Sequence, residues 1–155
     1  MAVDRTDTGY LLALASRRWN EILERRFEDA GFAEVRASYG ALLVPLFEDD
    51  GLRLGELARR ARLSKQTVTT MSRLLERDGL VTRQPDASDG RATRLFLTGR
   101  ARRFEPVANS VLAGLEEQVA EALGVEPAAR LREALAALAE LSGAGRPYSI
   151  SSSST

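Results

Sequence analysis

The stretch SDGRATRLFLT, residues 88–98, places an arginine directly after a turn signal. An Asp-Gly pair favours a tight turn, and the apolar run at 95–97 is typical of a short strand. Arg91 is therefore expected at the tip of a hairpin, facing solvent. Its guanidinium is planar and permanently charged, so this position favours an anionic partner with accessible oxygens.

Residues 54–75 carry the spacing of a helix-turn-helix. Ala58 is small enough for a second helix to cross closely, and a turn follows four residues later. Val68, Met71 and Leu75 then form the inward stripe of the second helix. The polar residues of that helix lie on the opposite face, and they are Ser64, Lys65, Gln66, Thr67, Thr69, Thr70, Arg73 and Arg77.

These side-chain types match the edges of base pairs in a major groove. Glutamine can pair with adenine, arginine can form two bonds with guanine, and threonine can bond either way or touch the thymine methyl group. Ser64, as the predicted N-cap, and the helix N-terminus can hold a phosphate. An ordinary solvated helix face is the alternative, but the turn spacing and the local charge favour double-stranded DNA as the partner.

The net charge of zero hides a strong segregation of charge. Residues 52–104 contain 13 Arg or Lys against 5 Asp or Glu, a net of +8, and the rest contain 9 against 17, a net of −8. A basic middle attracts a polyanion, while acidic flanks keep the whole chain soluble. We therefore expect the middle of the chain to bind the anionic partner.

The composition also excludes several classes of site. The chain has no cysteine and no histidine, which removes disulfides, thiol redox sensing, the commonest general base and the commonest metal ligand. The acid pairs 49–50 and 116–117 point apart on their elements, and no nucleophile motif, phosphate loop or metal spacing is present. We predict no enzyme activity, no metal and no cofactor. The lack of a signal segment and of a span of about 18 apolar residues predicts a cytoplasmic protein with no membrane partner.

The elements that must position these residues are mostly helices, because apolar residues recur at spacings of three and four. Pro45 predicts a kink or an early end in the second helix, and the turn formers at 84–90 predict a loop. The predicted helices are 10–30, 38–47, 54–61, 64–78, 99–123 and about 127–142, and the predicted strands are 80–83 and 92–97.

Several of these motifs together resemble the multiple-antibiotic-resistance regulator (MarR) family of winged helix-turn-helix repressors. The segment LLERDGLV at 74–81, and an Asp-x-Arg at 89–91 followed six residues later by Leu-Thr, carry the resemblance, which extends over about residues 10–142. Arg62 departs from the pattern, since helix-turn-helix turns often carry glycine there. A non-glycine residue at positive φ is uncommon, so we expect the turn here either to differ slightly from that pattern or to be strained.

The resemblance implies a role for each residue of the hairpin, which becomes the wing of the domain. Arg91 is expected to enter the minor groove, because a narrow A/T-rich groove concentrates negative potential. Asp89 is expected to orient Arg91 or Arg94 by a charge-assisted bond, with simple turn chemistry as the alternative. Arg83 is expected to contact phosphate.

The predicted fold is mainly α with a small β-hairpin wing. A winged helix-turn-helix domain spans 35–98, and the N- and C-terminal helices, 9–34 and 99–142, form a dimerisation region. Residues 1–8 are expected to be flexible and 143–155, rich in glycine and serine, to be disordered.

The apolar first, fifth and sixth helices exceed what a small central domain can cover, so we predict a homodimer. A twofold dimer implies a pseudo-palindromic operator with half-sites about one helical turn apart. Packing within one chain is the alternative for the same stripes. The predicted interface residues are Tyr10, Leu11, Leu14, Val119, Leu131, Leu135 and Leu138.

The resemblance also implies release of DNA by a small aromatic or anionic effector. An aromatic-lined cleft with an arginine suits such a molecule, and plain core packing is the alternative for the same residues. The predicted pocket residues are Arg17, Arg18, Trp19, Tyr39, Leu43 and Phe47.

The competing function is a winged helix that binds a protein and has no specific affinity for DNA. Such a module needs neither a polar outward face of Gln, Thr and Arg nor an arginine on the wing. We therefore predict a sequence-specific DNA-binding transcriptional regulator, acting as a repressor.

Overall fold

The computed structural model describes residues 5–141 and is mainly helical. The chain divides into two compact units, residues 1–113 and 114–155. The predicted disordered tail and the first four residues of the predicted flexible N-terminus lie outside the described residues. The helices are α1 (Thr8–Asp29), α2 (Gly40–Glu48), α3 (Leu54–Ala61), α4 (Lys65–Arg77), α5 (Gly99–Leu123) and α6 (Val125–Ala139). The strands are β1 (Leu52–Arg53), β2 (Val81–Pro85) and β3 (Thr93–Leu97).

Side-chain caps fix where several helices begin. The Asp7 carboxylate accepts a hydrogen bond from the Tyr10 amide at 2.8 Å, so α1 begins at Thr8, inside the stretch that we predicted to be flexible. The Thr98 hydroxyl accepts from the Ala101 amide at 3.3 Å at the start of α5. Both residues supply an oxygen to an amide that would otherwise lack a partner in the first turn.

The core of the first unit is built mainly from leucines of α2, α3 and α4. Leu42, Leu46, Leu57 and Leu75 have no exposed surface. Each fully buried leucine contributes roughly 1.5–3 kcal/mol relative to an exposed one. Val68 is equally buried, as the predicted inward stripe requires.

The turn between α3 and α4 has the strained backbone that the sequence predicts. Arg62 adopts φ of 54°, in the left-handed region. The Leu63 amide donates to the Ala58 carbonyl at 3.0 Å, which closes the end of α3. This turn sets the angle at which α4 leaves α3.

The sheet has three strands, whereas the sequence predicted only a hairpin. Its order is β1-β3-β2 and both pairings are antiparallel, with Leu52 opposite Leu95 and Val81 opposite Leu97. The two-residue β1 is too short to show an alternating pattern. The predicted loop was wrong at its first two positions, because β2 continues through Gln84 to Pro85. Proline is tolerated there since β2 is an edge strand.

A tight turn between α2 and β1 brings the sheet against the helices. Gly51 adopts φ of 76°, and a Cβ built at this position would lie 2.7 Å from the Phe96 ring. Only glycine fits this combination of backbone and contact without a shift. The Asp50 carboxylate accepts from the Leu97 amide at 2.8 Å, which fastens β3 to the same turn.

Pro45 does not end α2 early, contrary to one of the two predicted outcomes. The helix continues for three residues to Glu48, and the Asp49 amide donates to the Pro45 carbonyl at 3.0 Å. Proline removes only its own amide bond, and the residues that follow it keep theirs.

The described part of the second unit, residues 114–141, contains the end of α5 and all of α6. Gly124, at φ of 91°, separates the two helices. Arg132 and Glu116 form an ion pair between them, with Nη1 and Oε2 2.9 Å apart. Several leucines of this unit remain exposed, as described below.

Candidate nucleic-acid interface

The N-terminus of α4 is organised by Ser64. Its hydroxyl oxygen accepts from the Thr67 amide at 3.1 Å and lies 2.8 Å from the Thr67 hydroxyl. The predicted N-cap is therefore confirmed. The side chains of Lys65 and Gln66, in the first turn, are exposed. The N-terminus of a helix carries amides without carbonyl partners and favours an anion.

The outward face of α4 keeps its polar side chains in solvent. Val68, Ser72 and Leu75 are fully buried, while Gln66, Thr67, Thr70 and Arg73 are exposed on the other side. Thr69 is half-buried, and its hydroxyl donates to the Lys65 carbonyl at 2.8 Å. The structure thus brings the predicted residues to one face of α4. The Thr69 hydroxyl, however, already donates its hydrogen bond to a carbonyl of the same helix.

Arg77 is exposed at the end of α4 and is already paired. Its Nε lies 2.9 Å from Oδ1 of Asp78, and the Tyr39 hydroxyl donates to Oδ2 of the same carboxylate at 2.5 Å. The Arg77 guanidinium, followed by the Tyr39 hydroxyl, holds the pKa of Asp78 below its usual range. Tyr39 is 2% exposed, so it anchors the end of α4 from within the core.

Replacing Tyr39 with phenylalanine tests this anchor. Burial, followed by the bond to Asp78, raises the pKa of Tyr39 to about 12, from 10.0. Because the pKa of Tyr39 is higher in the folded protein than in the unfolded chain, the protonated hydroxyl stabilises the fold. This contribution is fully present below about pH 10 and is lost as the pH rises towards about 12, the pKa of Tyr39 in the folded protein. We expect the unfolding free energy of wild type to exceed that of Tyr39→Phe by on the order of 2 kcal/mol at pH 8 and to converge towards pH 12.

Chemical denaturation at several pH values measures this difference. Tyr10→Phe is the matched control, because the Tyr10 hydroxyl is not bonded to Asp78. Parallel pH profiles for wild type and Tyr39→Phe would contradict the anchor.

The wing, residues 81–97, holds Arg91 at an exposed position, as predicted. Asp89 does not pair with either guanidinium that we considered. Its Oδ1 accepts from the backbone amide of Arg91 at 3.0 Å, which is turn chemistry. Arg94 instead pairs with Asp86, a buried residue that sequence reasoning missed.

Arg83, which we expected to contact phosphate, is less accessible than such a role suggests. It lies opposite Leu95 in the sheet and its side chain is half-buried, with Nε shielded from solvent and without a hydrogen-bond partner. Its backbone amide donates to Glu76 at 3.2 Å. A phosphate contact by Arg83 therefore has only the outer guanidinium nitrogens to use.

The wing and the start of α4 border one open cleft of about 560 Å³. Lys65 and Thr69 of α4 line one side, and Asp89 and Arg91 of the wing line another. Arg53 lies at the base, turned towards Asp86. The cleft therefore joins the two cationic elements that the sequence singled out.

Many arginines of the basic region are held by carboxylates of the chain itself. The Arg59 and Arg60 guanidiniums, in that order, lower the pKa of Glu56 to about 2. Lys65, Arg73 and Arg91, by contrast, form no ion pair with any residue between 5 and 141. At least seven of the 13 basic residues in 52–104 are paired, namely Arg53, Arg59, Arg60, Arg77, Arg94, Arg100 and Arg102.

The predicted effector residues do not come together as one pocket. An apolar pocket of about 120 Å³ in the first unit contains Leu43 and Phe47. The arginine that lines this pocket is Arg36. Tyr39 does not line it, and its hydroxyl donates a hydrogen bond to Asp78. Arg17, Arg18 and Trp19 lie on α1 outside this lining, and Arg18 pairs with Glu21 at 3.2 Å.

The predicted interface residues are apolar and largely uncovered. Leu11 is 49% exposed on α1, and Leu131, Leu135 and Leu138 of α6 are 42%, 41% and 37% exposed. Tyr10, Leu14 and Val119 are half-buried.

Two features are absent from residues 5–141. No group of three or more acidic side chains there is arranged to hold a metal ion. None of the helices within that range is long and apolar enough to cross a membrane.

The arrangement of α3, α4 and the wing agrees with comparisons to known proteins. The MarR family model matches residues 37–93, from the 3₁₀ turn before α2 to the first residue of β3. Residues 37–93 therefore carry the sequence pattern of the MarR family. The match contains the whole helix-turn-helix, the cleft and the tip of the wing.

Relatives of the chain include proteins named as repressors. The HTH-type transcriptional repressor YetL of Bacillus subtilis strain 168 is 34% identical over 91 residues, which are 56% of this chain and 53% of YetL. The HTH-type transcriptional repressor Rv2887 of Mycobacterium tuberculosis is 35% identical over 74 residues, covering 48% of this chain and 53% of that protein. The chain thus spans about half the length of the curated relatives that it matches.

Solved structures share the fold. The PcaV transcriptional regulator from Streptomyces coelicolor, in complex with its natural ligand, superimposes with a TM-score of 0.74 at 22% identity, covering 91% of this chain and 98% of PcaV. This similarity establishes the winged helix-turn-helix fold of MarR proteins for the chain.

Proposed function

We propose that this chain is a sequence-specific, double-stranded-DNA-binding transcriptional repressor of the MarR family. One observation carries the proposal: Lys65 and Thr69 of α4 and the wing arginine, Arg91, border the same cleft, and three cations of α4 and the wing are not neutralised by the chain. Lys65, Arg73 and Arg91 form no ion pair within residues 5–141. Cations left free in a segment, residues 52–104, whose net charge is +8 are suited to phosphates.

Each free side chain has a role that its geometry supports. Gln66 and Arg73 lie on the outward face of α4 and read adenine and guanine in the major groove. Lys65, Thr67 and the N-terminus of α4 contact phosphate. Thr70 reaches a thymine methyl group or a phosphate, and Arg91 enters the adjacent minor groove.

We propose that the protein binds its operator as a homodimer. The exposed leucines of α1 and those of α6 each supply an apolar surface that a second copy can cover. In this proposal, residues 9–34 and 99–142 form the dimerisation region and residues 35–98 bind DNA. Two recognition helices related by a twofold axis require half-sites about one helical turn apart.

The repressor assignment draws on the relatives. YetL is named a transcriptional repressor, and a solved structure of another repressor, CouR, is described as bound to a 23-mer DNA duplex. We place the protein in the cytoplasm, where the DNA is, and propose no enzymatic reaction for it.

We further propose that a small aromatic anion releases the protein from DNA. The observation in favour is the apolar pocket of about 120 Å³ with Arg36 at its lining. A comparable cavity of about 150 Å³ in another protein holds one benzene molecule. The Arg36 guanidinium supplies the partner for a carboxylate or phenolate.

The proposal is tested by selecting fragments of source-genome DNA on the purified protein at moderate salt and sequencing what it retains. A pseudo-palindrome with half-sites one turn apart is the expected result. The affinity for that site should fall steeply with salt, with a logarithmic slope of about −0.9 per phosphate contacted. A protein-interaction module would retain no DNA at any salt concentration.

Arg73→Ala is expected to relax base preference at one position of each half-site. A bidentate arginine–guanine contact is worth about 1–3 kcal/mol of discrimination. The measurement is a competition of the selected site against all single-base variants. Arg59→Ala is the matched control, since Arg59 is exposed on α3 but paired with Glu56 at 2.6 Å. Equal weakening on every sequence would instead make Arg73 a phosphate contact.

A further inference from the structure

Asp86 directly follows β2 and begins the wing loop, residues 86–92, which joins β2 to β3. Its carboxylate is buried, with a side chain only 2% exposed. Its Oδ1 accepts from the Ser88 amide at 2.8 Å, the Ser88 hydroxyl at 2.6 Å and the Asp89 amide at 3.2 Å. Its Oδ2 accepts from Arg53 Nε at 2.9 Å and from Arg94 Nε. Both oxygens are therefore fully used within the protein.

These bonds tie the wing loop to two other strands and to a turn. Arg53 lies in β1 and Arg94 in β3. Arg94 Nη1 also donates to the Gly51 carbonyl at 2.7 Å, and Arg53 Nη2 donates to the Ser88 hydroxyl at 3.1 Å. The wing loop is therefore fastened to the turn that precedes β1 through side chains that converge on Asp86.

A second set of bonds leads from Asp86 to the wing arginine. Asp86 Oδ1 holds the Asp89 amide, and Asp89 Oδ1 holds the Arg91 amide at 3.0 Å. The loop closes behind Arg91, because the Asp86 amide donates to the Ala92 carbonyl at 2.9 Å and the Ala92 amide to the Asp89 carbonyl at 3.0 Å. The backbone of Arg91 thus sits in a ring of hydrogen bonds that begins and ends at Asp86.

The Asp86 network also decides which arginines remain for DNA. Arg53 lines the cleft and Arg94 is a wing residue, yet both direct Nε at Asp86. Without the carboxylate, both guanidiniums would lose their anionic partner, and Arg53, which lines the same cleft as Arg91, would repel it. One buried aspartate therefore holds the loop and removes two competing cations.

We propose that Asp86 is the positioning residue of the wing: it fixes the loop so that Arg91 alone is presented to DNA, and it withholds Arg53 and Arg94 from the phosphates. This inference rests on the proposed function, because the effect of Asp86 is exerted on DNA through Arg91. In this proposal Arg94 stabilises the wing through its bonds to Asp86 and to the Gly51 carbonyl, and it does not contact DNA.

The test is a double-mutant cycle with Asp86→Asn and Arg91→Ala, measured as affinity for the selected operator. Asparagine keeps the shape but loses the charge and one acceptor oxygen. We expect Asp86→Asn to weaken operator binding about tenfold in the wild-type background and less than about twofold in the Arg91→Ala background, because coupled residues are not additive. Equal losses in both backgrounds would overturn the proposal.

Asp50→Asn is the matched control. Asp50 is also a carboxylate that braces the sheet, accepting from the Leu97 amide at 2.8 Å and from Arg102 at 2.6 Å, but it has no bond to the wing loop. We expect its effect on operator affinity to be the same with and without Arg91. Coupling to Arg91 as strong as that of Asp86 would show a general loss of sheet structure and overturn the positioning role.

A milder variant covers the case in which Asp86→Asn fails to fold. Ser88→Ala removes one Oδ1 partner and the Arg53 contact while leaving the buried ion pairs. We expect an affinity loss of about threefold that disappears in the Arg91→Ala background, and a loss that persists there would overturn the proposal. If wild type retains no DNA, the proposed function and this inference both fall. If wild type binds and the cycle shows no coupling, only this inference falls.

Discussion

Arg91→Ala is expected to weaken operator binding by at least tenfold while leaving the fold intact. Arg91 is exposed, forms no ion pair within residues 5–141 and borders the cleft beside α4. A hydrogen bond to a charged group contributes about 1.5–3 kcal/mol, and a homodimer loses two such arginines at once. Fluorescence anisotropy of a labelled operator measures the change.

Arg91→Lys separates charge from shape. Lysine keeps the positive charge but lacks the planar guanidinium that suits a narrow groove. We expect an affinity between those of wild type and Arg91→Ala, with the largest differences on operators whose flanks are A/T-rich. The unfolding free energy should change by less than about 0.5 kcal/mol, because the side chain is at the surface. Unchanged affinity in Arg91→Ala would remove the wing from the mechanism.

Leu135→Glu is expected to produce a monomer and to abolish high-affinity operator binding. Leu135 is 41% exposed on α6, and a carboxylate in an apolar dimer interface would have to be desolvated without a partner. Losing the link between two half-site contacts reduces affinity by about 10²–10⁴-fold. Sedimentation velocity gives the oligomeric state and anisotropy gives the affinity.

The control for Leu135→Glu is Arg130→Glu on the same helix. Arg130 has a 68% exposed side chain and its nearest acidic partner, Glu126, is 4.0 Å away, so reversing its charge should leave the dimer intact. A Leu135→Glu protein that still sediments as a dimer would place the interface elsewhere.

Sequence reasoning succeeded where one local interaction decides the structure. The N-cap at Ser64, the positive φ of Arg62 and the start of α5 after Thr98 each depend on residues within one turn of the chain. Local hydrogen bonds and backbone sterics favour these features whatever surrounds them. Helical periodicity also predicted that Val68 and Leu75 of α4 face the core. Met71, the third residue of the predicted stripe, is only half-buried.

Sequence reasoning failed where partners are distant along the chain. Asp86 was counted among turn formers, but its buried role depends on Arg53, which lies 33 residues away. Tyr39 was assigned to an effector pocket because it is aromatic, whereas its hydroxyl is bonded to Asp78, 39 residues away. A buried charge needs a partner. The sequence signal for a buried Asp86 was therefore the presence of Arg91 and Arg94 later in the same hairpin.

The effector pocket shows the same limitation at the level of elements. Periodicity placed Arg17 and Arg18 on α1, but it could not show that Arg36, in the loop before α2, is the arginine that lines the apolar pocket. The packing of a loop against two helices is a tertiary property and leaves no periodic trace in the sequence. The same holds for β1, whose two residues join a sheet with a strand more than 40 positions later.

The carboxylates that hold so many arginines of the basic region also affect how quickly an operator can be found. A regulator samples a vast excess of wrong sites, and its dwell time on each one grows with the number of cations that grip the phosphates. At least seven of the 13 basic residues in 52–104 are already engaged. In the proposed function, random DNA would therefore hold the protein more weakly than its arginine content suggests. The protein would keep the long-range attraction of a basic region and shorten each unproductive encounter.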